Sequence, residues 1–364
     1  MSPSALRRQI GQLLIAGFHG EQIPVEIRSL AREFSLGGVI LFGRNIVEPR
    51  QVAELCHDAS QLTTDVPAWV SVDQEGGRVA RLKAPFTEWP PMATLGRSGD
   101  LQLAERFARA AAELRAVGIT LDFAPVLDVH TNPKNPVIGD RALAERAEDV
   151  ARLGSAIIRA MQAEGLAACG KHFPGHGDTS TDSHLELPLV EHPPERLRAV
   201  EFVPFRAAIE AGVATIMTAH VLVPALDEHR PATLSKRIVT GLLREELHYN
   251  GVIVSDDLEM KALANDYKVP ESAVLAVEAG CDALLICSGD VDVQAAALEA
   301  IVHAVETDRI GLTRVEDALR RQQRAKERFL AAGVTPRPLG GKALEQTLGQ
   351  DAHRRIADEM ARFA

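Results

Sequence analysis

Between Lys171 and Pro188 the chain gathers three histidines, two aspartates and Glu186 among glycine, proline, serine and threonine. The run reads Lys171-His172-Phe173-Pro174-Gly175-His176-Gly177-Asp178, and Asp182-Ser183-His184 follows. An imidazole with an ordinary pKa of about 6.5 gives and takes protons near neutrality. Asp182 and His184 stand two apart, so an extended loop lets the carboxylate fold toward the ring, orient it and raise its basicity. That pattern points to a proton-transfer dyad, and Gly175 and Gly177 let its loop move over a bound substrate. Metal binding is the weaker reading. Glycine and proline separate His172, His176 and His184, so no helix sets them on one face, and Ser183 stands where a calcium loop built on Asp178, Ser180 and Asp182 needs glycine. No metal is expected; a hydrogen-bonded surface loop remains the bland alternative.

Asp256 is the second chemical group. It follows Gly251-Val252-Ile253-Val254-Ser255 and so emerges where a buried strand meets a surface. A carboxylate there serves as base, metal ligand or nucleophile. Its neighbour Asp257 is expected to cap a helix or accept hydrogen bonds. Other charged residues follow apolar runs: Asp73-Gln74-Glu75-Gly76-Gly77-Arg78 with Arg81, then Asp128, Gly139-Asp140-Arg141 and His220. Glu75, beside two glycines, is read as fixing that turn, His220 as a satisfied buried histidine, and His176 as a pin for its loop.

Something must carry these groups to one place. Short apolar runs occur at 13–18, 38–42, 68–72, 119–126, 167–172, 214–220, 251–255 and 282–287. They are apolar on both faces, as parallel strands covered by helices are. Helical stripes lie between them, at Leu103, Phe107, Ala111 and Leu114 and at Val150, Leu153, Ile157 and Met161. Gly118, Gly165 and Gly212 stand where helices should stop, and Thr313 with Glu316 reads as a capping box. The series predicts an α/β fold: one closed (β/α)8 TIM-type barrel over residues 1–333, with an added helical tail over 334–364 that lies on the surface and carries no chemistry. An open doubly wound sheet is the alternative, but no GxGxxG or GxxxxGK[ST] follows any strand. In a barrel of this kind the active site forms at the carboxyl ends of the strands, where these charged groups fall.

The balance of 40 basic against 50 acidic residues, net −10 over 364 residues, argues against nucleic acid or an anionic membrane as partner. Cys56, Cys169, Cys281 and Cys287 form no CxxC pair and are expected in the core without disulfides. No signal-peptide pattern opens the chain and no apolar run approaches a membrane span, so the cytoplasm is the expected compartment.

The run 171–178 with Asp182-Ser183-His184 and Leu187-Pro188 resembles the signature of bacterial β-N-acetylglucosaminidases of glycoside hydrolase family 3. The likeness extends to Val72-Asp73-Gln74-Glu75-Gly76-Gly77-Arg78-Val79, Gly139-Asp140-Arg141, Met217-Thr218-Ala219-His220 and Ser255-Asp256-Asp257-Leu258, over about residues 8 to 330. The resemblance implies a retaining exo-hydrolase of terminal non-reducing N-acetylglucosamine, acting on muropeptides in peptidoglycan recycling. It implies Asp256 as the nucleophile that forms a glycosyl-enzyme, and His184 as acid/base paired with Asp182. By the same token Asp73, Arg81, Arg141, Lys171 and His172 bind the sugar. It implies no cofactor, a small carbohydrate as partner, no stable membrane association, and a monomer or weak homo-oligomer. Single-barrel members lack the second domain of other family 3 enzymes, and this chain has no room for one. The tail after Gly333 and the loop at 179–181 depart from the pattern.

The residues fit that chemistry. Cleavage through an oxocarbenium-like transition state needs a carboxylate on one face of the sugar and a proton donor on the other. Asp73, Arg81 and Lys171 mix the donors and acceptors that hydroxyls require, and Arg141 suits an acetamido carbonyl. An imidazole in place of the usual second carboxyl also leaves open transfer to phosphate, a β-N-acetylglucosaminide phosphorylase, because it would not repel an anionic acceptor. A silent sugar-binding barrel is the reading from a different class.

Overall fold

Each of the eight apolar runs becomes one strand. In the computed structural model, which describes residues 3–63, 66–183, 186–330 and 338–364, they are β1 (Leu14–Ala16), β2 (Gly38–Leu41), β3 (Trp69–Val72), β4 (Leu121–Asp122), β5 (Ala167–Phe173), β6 (Thr215–Thr218), β7 (Val252–Asp257) and β8 (Ala283–Ile286). Every neighbouring pair is parallel, and Leu14↔Leu284 to Ala16↔Ile286 joins β8 to β1, closing the barrel. β4 is shorter than its apolar run because Pro125 has no amide to give the ladder. Beyond it, pairing with β5 continues irregularly through a Val126–Lys171 bridge.

Side chains alternate along a strand, and the alternation sorts them here. Ile15, Ile40, Trp69, Leu121, Phe123, Ala167, Cys169, Met217, Val252, Val254, Ala283 and Leu285 fill the barrel interior, closed below by Phe329 and Leu330. Their neighbours, such as Val70, Val72, Ala168, Ile253, Leu284 and Ile286, pack outward under the helices. Carried one step beyond the apolar layers, the inward phase of β3, β5 and β7 reaches Asp73, Lys171 and Asp256. That is how an ordinary core periodicity delivers three charges to the barrel mouth.

The stripe from Val150 to Met161 lies on helix Ala147–Ala163, all four residues buried. The Leu103 stripe is split between helices Leu101–Arg109 and Ala112–Ala116. Gly118, Gly165 and Gly212 adopt positive φ, which ends each preceding helix without a side-chain clash. Two expectations need correction. The last barrel helix is Leu312–Phe329 with Gly311 at its N-cap, so Thr313 already has helical backbone and forms no capping box. The tail, for its part, is no appendage. Its helices Gly341–Thr347 and Asp351–Ala361 bury Leu344, Leu348, Ile356 and Met360 in the main core. The buried Glu113 carboxylate accepts the Gly349 amide at 3.2 Å and meets His353 Nδ1 at 2.6 Å. The i,i+4 spacing of Ile356 and Met360 is the amphipathic signal that foretells this docking. All four cysteines are buried and unpaired. No helix of the described residues is long and apolar enough to cross a membrane.

Candidate active site

At the carboxyl ends of the strands lies a pocket of about 220 Å³ that opens to solvent. Asp73, Arg81, Arg141, Lys171, His172 and Asp256 all line it. Six residues drawn from four strand ends thus meet where the sequence places them. Asp182 is half-buried on the adjoining loop and is not part of the pocket wall, although Ser183 is. His184 lies outside the described residues.

Charges alternate across the floor. Arg81 reaches Asp73 at 3.3 Å, Asp73 reaches the Lys171 ammonium at 2.8 Å, and Lys171 reaches Glu75 at 2.6 Å. Glu75 then takes the Arg141 fork through two hydrogen bonds of 2.8 Å. Glu75 is 1% exposed and Lys171 2%. Burial alone would raise the Glu75 pKa, yet Lys171 and Arg141 hold it far below its ordinary value. Burial likewise works to lower Lys171, but Asp73 and Glu75 keep it above the usual lysine range. Glu75, Lys171 and Arg141 therefore stay ionised. Breaking such a chain leaves an uncompensated buried charge, which costs several kcal/mol. The reading of Glu75 as a turn-fixer is corrected accordingly: it orients two cations, while the turn is tied by the Gly77 amide donating to the Trp89 carbonyl at 2.8 Å. The Arg81 Nε is buried with no hydrogen-bond partner among the described residues.

Asp128, wholly buried, organises the second half of the wall. One oxygen accepts His172 Nδ1–H at 2.7 Å and the other the His176 amide at 2.7 Å. Burial raises the Asp128 pKa, but His172 and His176 more than offset it and the carboxyl lies below its ordinary value. A carboxylate only accepts, so the His172 proton is assigned to Nδ1, which leaves Nε2 as the other ring nitrogen. Burial pushes the His176 imidazole down to about 4, so it is neutral. Its Nδ1 meets Thr179 Oγ1 at 2.7 Å and its Nε2 meets Ser183 Oγ at 3.1 Å.

Asp256 stands on the opposite wall at the end of β7, its Oδ1 accepting the Asp257 amide at 2.8 Å. Burial works to raise its pKa, but His220, His172, that amide and Lys171 together draw it below the ordinary value. It is an ionised carboxylate facing a pocket. Asp257 also lines the pocket, but its carboxylate accepts the amides of Glu259 and Cys287, each at 3.2 Å, and burial lifts its pKa to about 7. His220 is buried, with Nδ1 on Thr233 Oγ1 at 2.8 Å and Nε2 on the Asp257 carbonyl at 2.9 Å.

Two functional contributors escape sequence reasoning. The Glu75–Arg141 pair spans 66 residues of chain, beyond any local pattern. Phe42 forms another part of the wall, with the guanidiniums of Arg44 and Arg81 over its ring at 4.6 and 5.6 Å. Its signal was present, since Phe42 continues the inward phase of Ile40.

Residues 5–325 match the model of the glycosyl hydrolase family 3 N-terminal domain. A structure of a glycoside hydrolase family 3 β-N-acetylglucosaminidase from Paenibacillus sp. FPU-7 superposes with TM-score 0.92 at 44% identity, covering 98% of this chain and 68% of that one. NagZ from Neisseria gonorrhoeae superposes with TM-score 0.79 at 32% identity, covering 97% of each. Beta-hexosaminidase A of Pseudoalteromonas piscicida is 33% identical over 366 aligned positions, 93% of this chain, and this chain spans 60% of that relative's length. Barrel, pocket and sequence agree, and the chain belongs to glycosyl hydrolase family 3.

Proposed function

We propose that this protein is a retaining exo-β-N-acetylglucosaminidase. The observation that carries the reading is Asp256: an ionised carboxylate on the wall of a sugar-sized pocket whose other walls hold Asp73, Arg81, Lys171, Arg141 and His172. Sugar hydroxyls need both donors and acceptors. The floor offers the Asp73 carboxylate beside the Lys171 ammonium and the unsatisfied Arg81 Nε. Arg141 keeps N–H groups beyond those that bind Glu75 and the Val137 carbonyl, suited to an acetamido oxygen.

The chemistry runs in two displacements. Asp256 forms a bond to the anomeric carbon as the glycosidic C–O bond breaks, and the departing oxygen takes a proton from the His184 imidazolium. The neutral imidazole then accepts a proton from water, whose oxygen attacks the same carbon and frees Asp256. The anomeric configuration is inverted twice and so retained. Asp182 keeps the ring oriented and favours its protonated form. Asp256 must be ionised at the outset, and its lowered pKa supplies that state down to acidic pH. We further read the natural substrate as muropeptides in the cytoplasm, with N-acetylglucosamine at the non-reducing end.

The test is turnover of nitrophenyl N-acetyl-β-glucosaminide with and without phosphate, identifying the sugar released. Free N-acetylglucosamine in both conditions is the expected product. Sugar 1-phosphate as the main product would instead make the protein a phosphorylase, and binding without turnover would make it a sugar receptor.

A further inference from the structure

Resting on the function proposed above, we propose that Gln74 is a positioning residue whose side-chain amide fixes the backbone from which Arg81 reaches the sugar. Asp73 and Glu75 line the pocket, whereas Gln74 between them turns away from it, as alternating side chains require. Gln74 is buried, and its backbone amide donates to the Asp122 carboxylate at 2.9 Å. From there Gln74–Gly76 pairs antiparallel with Val79–Ala80, with a register irregularity between Gln74 and Gly76. The ladder stops at Ala80. The next two amides, those of Arg81 and the wholly buried Leu82, therefore need an acceptor from elsewhere. Both donate to Gln74 Oε1, at 2.8 and 3.0 Å, and Gln74 Nε2 donates to the Leu82 carbonyl at 2.9 Å. That network assigns the orientation of the amide, because the reversed form would set donors against donors and oxygen against oxygen.

Other anchors hold the rest of the hairpin. Its turn is tied by the Gly77 amide on the Trp89 carbonyl at 2.8 Å and by Arg78 on the Ile138 carbonyl at 3.1 Å. Glu75 is held by Lys171 and Arg141. The return leg, where Arg81 leaves the hairpin, rests on the Gln74 side chain. From that leg the Arg81 guanidinium reaches Asp73 at 3.3 Å and lies over the Phe42 ring at 5.6 Å. Asp256 stands on the opposite wall, so a displaced Arg81 weakens the grip on the sugar and spares the reacting carbon.

The experiment is a double-mutant cycle of wild type, Gln74→Met, Arg81→Ala and the double variant on nitrophenyl N-acetyl-β-glucosaminide. Gln74→Met preserves the length of the side chain and removes its three hydrogen bonds. It should raise KM about tenfold while kcat changes less than about threefold, and Arg81→Ala should raise KM at least as much. The double variant should lose no more kcat/KM than Arg81→Ala alone, since no guanidinium is left to position. Gln74→Glu keeps an acceptor for both amides and answers the question should Gln74→Met fail to fold; its smaller rise in KM should also vanish in the Arg81→Ala background. A merely structural Gln74 would lower the melting temperature alike in both backgrounds and leave the losses additive. Additive losses, a fall in kcat at constant KM, or a KM unmoved by either Gln74 substitution would overturn the assignment and leave the hydrolase standing. If the wild-type chain binds N-acetylglucosamine without turnover, the hydrolase reading fails, and the same cycle is read in the calorimetric dissociation constants of N-acetylglucosamine, where additivity again overturns the role of Gln74. A wild-type chain that neither binds nor cleaves would overturn both.

Discussion

Two lysines, each 2% exposed, stand at opposite ends of the barrel. Lys171 at the mouth lies between the carboxylates of Asp73 and Glu75, which hold its charge in place. Among the described residues, Lys326 at the base meets only neutral oxygens, Gln12 Oε1 at 3.0 Å and the Gly37 carbonyl at 2.9 Å, and burial pushes its pKa down to about 7. The base has its own carboxylate, Asp282, clamped by Arg244 at 2.6 Å and by Arg314. Beside it the interior is filled by Phe329 and Leu330, whereas beside the mouth network lies an open pocket. Buried charge alone therefore does not mark a site. Buried charge beside unfilled volume does.

That contrast is open to attack by mutation. The largest effect belongs to Asp256→Ala, which should lower kcat/KM by about four orders of magnitude while thermal unfolding barely moves. Next comes a matched pair. Glu75→Gln should lower kcat/KM by about a hundredfold, because Lys171 and Arg141 lose the charge that aims them. Asp282→Asn should leave kcat/KM of the folded enzyme within about twofold yet lower the melting temperature by roughly 5–10 °C. The reverse pattern, with the base variant losing catalysis and the mouth variant losing only stability, would dissolve the distinction between the two ends.

The smallest effect tests the base lysine through pH. Folded Lys326 titrates near 7, below its unfolded value of about 10.4. Between those pH values the unfolded chain binds a proton that the folded chain does not, so this residue's contribution makes stability fall as pH drops from about 10 to 7 and then level off. Lys326→Met should therefore gain about 2 kcal/mol over wild type at pH 7, with the gain shrinking toward pH 10. Urea unfolding of both proteins across that range is the check; a gain independent of pH would mean that the lysine is charged in the folded state.

How much of this was legible in advance follows from the range of each signal. The strands were readable because a strand buried on both faces writes itself as a short apolar run, as at 251–255. Asp73, Lys171 and Asp256 were readable because each stands at the end of such a run. The Glu75 clamp was not, since its partners come from strand ends far apart in the chain. Neither was the role of Asp128, which exists only once β5 lies beside the segment that follows β4. The tail was misread because Thr335-Pro336-Arg337-Pro338 suggests a break in the fold, while the apolar stripe beyond it, read alone, does not say which surface it will cover.

Most direct of all is trapping with 5-fluoro-N-acetylglucosaminyl fluoride, whose ring fluorine slows both formation and breakdown of a glycosyl-enzyme while its good leaving group restores formation, so that the intermediate accumulates. Mass spectrometry of the digested protein should find one added fluoro-sugar on the peptide containing Asp256, at Asp256 itself, and none in Asp256→Ala. A label on another carboxylate, or turnover with inverted anomeric configuration and no label at all, would contradict the account.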